Sequence, residues 1–352
     1  MIEILGLALY GPLAASTRYR LGQFVPGLAT HGIDLRIHSL LGDDYLRSRF
    51  GNRSLPWASM LRAGWDRLGA LRTSKAALAI LHCELFPLLP GPIERSLLRA
   101  RPYVYDFDDA FQLKYRHGRL APLRPLLGTK FDAIMGSAAV VTAGNRSLQA
   151  YATRFNPDVR ALPTVVDTDR YVPAVRRRSG PFTLGWIGSP STAPFLEDIA
   201  EPIRQLGSEG PVRLVVIGGK APAVAGVEVR ELAWSESTEI EAINGFDVGL
   251  MPLPDDEWAR GKCAFKLIQY MACAIPVIGS AIGANIDVVT PDCGLLPRSR
   301  PEWLEAFRQL RDDPARAMEM GRAGRERVVA HYSLVHNLPL MRDAITTAVA
   351  HG

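Results

Sequence analysis

Short apolar runs alternate with amphipathic stretches along most of this chain. Near-continuous apolar strands separated by helices indicate parallel sheets that are covered on both faces. The sequence therefore predicts α/β architecture, with helices such as 18–31 between the strands. The predicted strands are Ile2–Leu9, Ile33–Ser39, Ala77–His82, Tyr103–Phe107, Ala138–Ala143, Val159–Leu162, Phe182–Ile187, Val212–Ile217, Val227–Leu232, Asp247–Met251 and Ile275–Gly279.

A stretch rich in proline, glycine and arginine interrupts this alternation. Residues 163–181 read PTVVDTDRYVPAVRRRSGP, a composition typical of a solvated linker. A chain of 352 residues is long for a single core, which favours two domains. We predict an N-terminal domain over 1–170, a hinge over 171–181, a C-terminal domain over 182–333 and a final helix over 334–352 that packs back across the hinge.

Composition narrows the class of protein. No apolar run approaches the ~20 residues that cross a bilayer, and the apolar start carries Glu3 where an export signal carries basic residues. The four cysteines have no CxxC spacing, as expected of reduced thiols in a cytoplasmic protein. A net charge of +5 favours anionic ligands but is too small for a nucleic-acid-binding protein.

The segment 261–280, GKCAFKLIQYMACAIPVIGS, carries the clearest candidate chemistry. Only six of the 41 Lys and Arg residues are lysine, and two of them lie here, four residues apart. A helix from Lys262 to Cys273 would place Lys262, Lys266 and Gln269 along one polar face. Gly261 would let a ligand approach the N–H groups of the first turn, where phosphate is favoured. The alternative is a surface helix with two solvated lysines.

The same segment resembles a known family. QYMACAIPVIGS is similar to the EAMAxGxPVIAS stretch of retaining glycosyltransferases of the GT-B fold, family 4. In that family a Glu-x7-Glu motif contacts the ribose, the sugar and the phosphates, and its two carboxylates fall here on Gly261 and Gln269. GKCxFKxxQYMA thus replaces the motif, as in a subgroup of the family, with Lys262 and Lys266 taking over phosphate contacts. The resemblance implies two Rossmann-like doubly wound domains that face each other across a cleft.

Two further segments of the C-terminal half agree with a donor site. The turn GWIGSPST follows a strand and supplies Gly188, Ser189 and Thr192, whose N–H and hydroxyl groups suit a phosphate. Trp234 precedes a predicted helix and is expected to flank the nucleobase. Its alternative role is packing at the edge of the core.

The N-terminal half offers acceptor-side candidates at the ends of strands. The loop YGPLAASTRYR contains Gly11 and Arg18, and of Arg18 and Arg20 at most one is expected to face the ligand. Many family members have a histidine near the reacting centre, which aligns here with Asp108. We expect Asp108, Lys266 and Arg18 to be catalytic, and the alternative for Arg18 is an exposed arginine that does not enter the cleft.

Two further polar residues of that half, Asp109 and His82, complete the predicted acceptor side. The alternative for Asp108 and Asp109 is a role as helix N-cap, and the alternative for His82 is a structural role. Asp-x-Asp also suits a divalent metal, but the family works without one. We therefore assign no metal and no cofactor.

The resemblance implies transfer of a sugar, with retention, from a nucleoside-diphosphate sugar to an acceptor hydroxyl in glycan or polysaccharide assembly. A sugar-nucleotide epimerase of the same architecture and a non-catalytic nucleotide-sugar-binding protein are the alternatives.

The acceptor is expected to be a glycan or a lipid-linked glycan. Residues 45–75 interleave Trp57 and Trp65 with arginines, which suits a peripheral contact with an anionic membrane or a basic solvated face.

Overall fold

The computed structural model describes residues 1–51, 54, 56–175 and 180–351. Arg53 of the basic stretch and the arginine run 176–178 of the predicted hinge lie outside these residues. The chain forms two compact units. Unit 1 comprises Met1–Val165, Gly261–Cys263 and Asn337–Gly352, and unit 2 comprises Val166–Arg260 and Ala264–His336. Unit 1 thus includes Gly261–Cys263, which the sequence had assigned to the C-terminal domain.

Unit 1 contains a six-stranded parallel sheet of order β2-β1-β3-β4-β5-β6. The chain moves from β1 to β2 on one side and then to β3 on the other, so the topological switch point lies between β1 and β3. In open α/β sheets, ligands bind at the carboxyl ends of the strands beside such a point. The strands are β1 (Ile2–Tyr10), β2 (Ile33–Leu41), β3 (Leu78–His82), β4 (Tyr103–Phe107), β5 (Val140–Ala143) and β6 (Val159–Ala161).

Short and long helices connect these strands. The structure breaks the predicted helix 18–31, since a π-helical turn, Arg18–Gly22, separates two short α-helices. The α-helices are α1 (Ala15–Thr17), α2 (Phe24–Ala29), α3 (Asp43–Phe50), α4 (Trp57–Thr73), α5 (Gly91–Leu98), α6 (Arg124–Leu127), α7 (Lys130–Ser137) and α8 (Arg146–Ala152).

Unit 2 contains a second six-stranded parallel sheet, of order β12-β11-β10-β7-β8-β9. This is the doubly wound order 3-2-1-4-5-6, whose switch point lies between β7 and β10. The strands are β7 (Phe182–Ile187), β8 (Val212–Ile217), β9 (Glu228–Leu232), β10 (Val248–Met251), β11 (Val277–Gly279) and β12 (Gly294–Leu295). The sequence predicted all of them except β12, with small differences at their ends.

The helices of unit 2 cover both faces of its sheet. Leu184 and Trp186 of β7 join one buried apolar cluster, whereas Ile187 joins the other. The helices are α9 (Ala200–Glu209), α10 (Glu239–Asn244), α11 (Glu257–Arg260), α12 (Phe265–Ala272), α13 (Ala284–Val288), α14 (Arg300–Asp312), α15 (Pro314–His331) and α16 (Leu334–Ala350), the last running into residues of unit 1.

Candidate functional site

The carboxyl end of β7 forms a tight polar turn at the switch point of unit 2. The carbonyl of Ser189 accepts hydrogen bonds from the backbone N–H groups of Thr192 (3.0 Å) and Ala193 (3.2 Å). The hydroxyls of Ser189 and Ser191 are 2.8 Å apart. The turn leads into a 3-10 helix, Ala193–Ile199, so the expected strand–turn–helix arrangement is present.

Lys266 lies against this turn. Its Nζ is 3.4 Å from the Thr192 hydroxyl and 4.8 Å from the ring centroid of Trp186. A Cβ at position 188 would approach the Trp186 ring to 2.5 Å and the Lys266 Cε to 2.8 Å, so a larger residue there would force these side chains to shift. The structure therefore brings together three of the predicted donor-site residues, Gly188, Thr192 and Lys266.

The predicted stripe of Lys262, Lys266 and Gln269 on one helix is wrong. Helix α12 begins at Phe265, after Ala264 adopts a left-handed conformation with φ 53°. Lys262 therefore precedes the helix, and its N–H group is not part of the first turn. A left-handed alanine is uncommon, and no side-chain pattern in the sequence signals it.

Gly261 and Lys262 are held by unit 1 instead. Their carbonyls accept hydrogen bonds from Nδ2 of Asn145, at 2.8 and 3.0 Å. A Cβ at position 261 would approach the backbone nitrogen of Ala110 to 2.9 Å, which explains the glycine. Nζ of Lys262 forms an ion pair with Asp109 at 3.3 Å. Burial raises the pKa of Asp109, while the charge of Lys262 opposes that shift.

Gln269 lies in a buried chain of hydrogen bonds rather than on an open polar face. It is 4% exposed, and its Nε2 donates to the Tyr171 hydroxyl at 2.8 Å. That hydroxyl donates to Oε1 of Glu239 at 2.7 Å, and Oε2 of Glu239 accepts from the Trp234 indole at 2.8 Å. The chain fixes the plane of Trp234 at the end of β9. Tyr171 and Glu239 were missed from the sequence, where the only signal was an acid early in the helix after Trp234.

The carboxyl end of β1 in unit 1 leads into the loop that contains Gly11. The side chain of Asp43 accepts from the backbone N–H of Leu13 at 3.0 Å. NH1 of Arg18 donates to the carbonyls of Pro12 and Leu13, both at 2.8 Å. Arg18 therefore orders the loop to which Gly11 belongs.

Arg20 is fully buried at the core of unit 1. It makes a bidentate ion pair with Asp106 and donates to the carbonyl of Leu162 at 2.7 Å. Asp106 also accepts from Thr142 at 2.6 Å and from Nδ1 of His82 at 2.9 Å. Burial alone would raise the pKa of Asp106, but Arg20 and His82 outweigh it and hold that pKa well below its usual range. The sequence analysis did not single out Asp106.

Asp108 and Asp109 follow β4 beside this buried network. Oδ1 of Asp108 lies 3.8 Å from Nε2 of His82, and its backbone carbonyl accepts from the Cys263 thiol at 3.0 Å. The Asp108 side chain is 15% exposed, so it is reachable from solvent. The structure thus brings together Asp108, Asp109 and His82 at adjacent strand ends.

Helix α4 presents apolar side chains to solvent. Trp57, Leu61 and Trp65 follow one another at spacings of four residues and are 65%, 69% and 72% exposed. Arg67, counted in the basic stretch, is instead buried and donates to the carbonyls of Ala8 and His38. Among residues 1–51, 54, 56–175 and 180–351, none of the helices combines the length and hydropathy needed to span a membrane.

Comparison with known proteins gives a consistent picture. Residues 197–343 match the model of a family described as glycosyl transferase-like. No match was found among curated protein sequences.

Solved structures match over nearly the whole chain. A sucrose-phosphate synthase from Thermosynechococcus elongatus has a TM-score of 0.72 at 16% identity, covering 100% of both chains. Anabaena HepE, in complex with UDP and glucose, has a TM-score of 0.71 at 12% identity, covering 99% of this chain and 100% of that one. WaaG, a glycosyltransferase involved in lipopolysaccharide biosynthesis, has a TM-score of 0.66 at 14% identity, covering 98% and 99%. The chain has the GT-B fold of these proteins, and its residues 197–343 are similar to the glycosyl transferase-like family.

Proposed function

We propose that the protein is a glycosyltransferase that moves a sugar from a nucleoside-diphosphate sugar to an acceptor hydroxyl. The observation that carries the proposal is Lys266, held by Trp186 and Thr192 over the turn at the switch point of unit 2. Anabaena HepE, of the same fold, has been solved with UDP-glucose. The family match covers α12 and most of unit 2, which agrees with a donor site there.

The main requirement of the reaction is stabilisation of the negative charge on the departing diphosphate. The Lys266 ammonium supplies a positive charge, and the first N–H groups of α12 add the partial charge of a helix N-terminus. We therefore propose that transfer needs no metal, and that it proceeds with retention, as in the family 4 enzymes that the motif resembles. Turnover should persist in EDTA, and the anomeric configuration of the product, read by NMR, tests retention.

We further propose roles for the polar residues around Lys266. Ser189 and Thr192 donate to phosphate oxygens, and the Trp234 ring flanks the nucleobase. The amide nitrogen of Gln269 already donates to the Tyr171 hydroxyl. We therefore propose that the amide oxygen of Gln269 accepts a hydrogen bond from a ribose hydroxyl.

A thermal-shift screen of UDP-, GDP- and ADP-sugars tests the donor class, because a ligand that binds only the native state raises its stability. We expect one nucleotide series to raise Tm.

Lys266→Ala should remove most of that increase in Tm and lower turnover at least about a hundredfold, as loss of an oxyanion contact does. Arg322→Ala, an exposed residue of α15 paired with Glu326, is the control. Near-normal turnover of Lys266→Ala would refute the assignment.

We propose a glycan or lipid-linked glycan as acceptor and a peripheral contact of unit 1 with an anionic membrane. The stripe of Trp57, Leu61 and Trp65 on α4 supports it, because exposed aromatic and aliphatic side chains insert at a lipid interface. The exposed cations Arg62 and Arg72 of the same helix complement an anionic surface.

A further inference from the structure

Strand β9, Glu228–Leu232, forms one edge of the sheet in unit 2. It is the last strand in the sheet order and pairs with β8 along one side. All five of its residues are exposed, whereas five of the six residues of β8 are buried. Because successive side chains of a strand point to opposite faces, β9 is open to solvent on both faces. Its outer edge is therefore a candidate surface for the addition of another strand.

Hydrogen bonds to β8 determine which backbone groups of β9 point outward. The carbonyl of Leu232 accepts from the N–H of Gly218, the residue after β8, at 2.9 Å, so the backbone groups of Leu232 point toward β8. This direction alternates from one residue to the next along a strand. The N–H and C=O groups of Val229 and Glu231 consequently point away from β8 and are available to another strand.

Side chains of opposite charge alternate on one face of β9. Glu228 forms ion pairs with Arg230 of the same strand at 2.6 Å and with Arg213 of β8 at 2.9 Å. The Glu228 and Arg230 side chains remain 41% and 55% exposed. A carboxylate accepts several hydrogen bonds and a guanidinium donates up to five. Both side chains can therefore also contact charges on an approaching strand.

We propose that β9 pairs with β9 of a second copy of this chain, antiparallel about a two-fold axis at Val229. In this register the two Val229 residues exchange backbone hydrogen bonds. Glu228 then lies opposite Arg230 of the second copy, and Arg230 lies opposite Glu228 of that copy. Opposite charges that face each other across antiparallel strands stabilise the pairing. Such assembly is independent of the proposed transferase activity.

Charge disfavours the neighbouring registers of the same pairing. An axis at Arg230 would place two arginines opposite each other, and an axis at Glu228 or Glu231 would do so for two glutamates. Like charges in such positions destabilise the pairing. The charges that protect an edge strand from open-ended aggregation thus leave one favourable register among these. A two-fold axis occupies the outer edge of both β9 strands, so the assembly ends at a dimer.

A cysteine at the axis tests the register, because all four native cysteines are buried. Opposed residues of a hydrogen-bonded antiparallel pair have Cα atoms about 5.5 Å apart, which is within disulfide range. Mild oxidation or a short bis-maleimide should therefore link Val229→Cys into a covalent dimer on a denaturing gel. Glu231→Cys is the matched control, since the two copies of that position lie on opposite sides of the axis. Cross-linking of Val229→Cys that is no greater than that of Glu231→Cys overturns the inference.

Light scattering at increasing protein concentration tests the charge pairing. An interface of one short strand per copy is small, so the dimer should be weak and should depend on concentration. Arg230→Glu places glutamates opposite each other and should raise the dimer Kd by about tenfold or more. Adding Glu228→Arg to this variant restores opposite charges and should recover most of the affinity. Arg322→Glu on α15, the same change of charge at an exposed position of unit 2, should leave the Kd unchanged.

Two results of the light scattering would contradict the pairing of β9. One is a native protein that stays monomeric at its highest soluble concentration. The other is a dimer whose Kd is unchanged in Arg230→Glu, since that dimer uses another surface. Tm and circular dichroism establish that each variant folds. None of these measurements uses a sugar donor, so a failure of the transferase proposal leaves them valid.

Discussion

Arg18 and Arg20 are two residues apart in sequence but make different contacts. Arg18 holds the carbonyls of its own loop, whereas Arg20 is buried against Asp106, 86 residues away. The π-helical turn that contains both changes the directions expected for a regular helix. The sequence could limit the ligand-facing arginine to one, but it could not identify a buried ion pair between distant residues.

Asp106→Asn should destabilise the protein at pH 7 by about 3–5 kcal/mol, because it leaves the charge of Arg20 buried without its partner. The pKa of Asp106 is lower in the folded state than its ordinary value of about 3.9. Its stabilising contribution is therefore complete above that value and is lost as pH falls below it. Asp106→Asn should not show this loss of stability at low pH. Urea denaturation of both proteins between pH 3 and 7 measures the difference.

Asp158→Asn is the matched control, since Asp158 pairs with Arg160 at the surface and is 31% exposed. We expect a loss of at most about 1 kcal/mol. Equal losses in the two variants would contradict the account of Asp106.

At the scale of elements, the strands were predictable and the start of α12 was not. β7 has the bounds that its apolar run predicts, because a strand covered on both faces needs apolar side chains throughout. Helix α12 starts later than periodicity predicts because Ala264 leaves the helical region. The burial of Gln269 depends on Tyr171, 98 residues earlier, which no local pattern reveals.

The end of α12 offers a test of backbone conformation. Ala274 is left-handed, with φ 54°, and Ile275 N–H bonds to the Tyr270 carbonyl at 3.0 Å, a helix ending that normally uses glycine. Ala274→Gly should raise the free energy of unfolding by about 0.5–1 kcal/mol, because glycine adopts this conformation without strain. Ala272→Gly, inside the helix, should lower it by at least about 1 kcal/mol. Urea denaturation distinguishes them, and a destabilised Ala274→Gly would contradict the argument.

At the scale of the whole molecule, the stripe on α4 predicts membrane binding. The protein should sediment with vesicles that contain anionic phosphatidylglycerol and remain in solution with neutral phosphatidylcholine, since cations and apolar side chains act together. Replacing Trp57 and Trp65 by serine should reduce the bound fraction severalfold. Met318→Ser, which removes an exposed apolar side chain of unit 2, should not. Equal binding to both vesicle types would refute the membrane contact.

The division of the chain into units limits how it can be recombined. The backbone passes from one unit to the other after Val165, Arg260, Cys263 and His336, four crossings in all. A gene fusion with one junction in the hinge would therefore give a first unit without Gly261–Cys263 and without most of α16. Exchanging unit 1 with that of a relative requires three separate segments to be carried together, and exchanging unit 2 requires two, so neither unit can be moved as one continuous cassette.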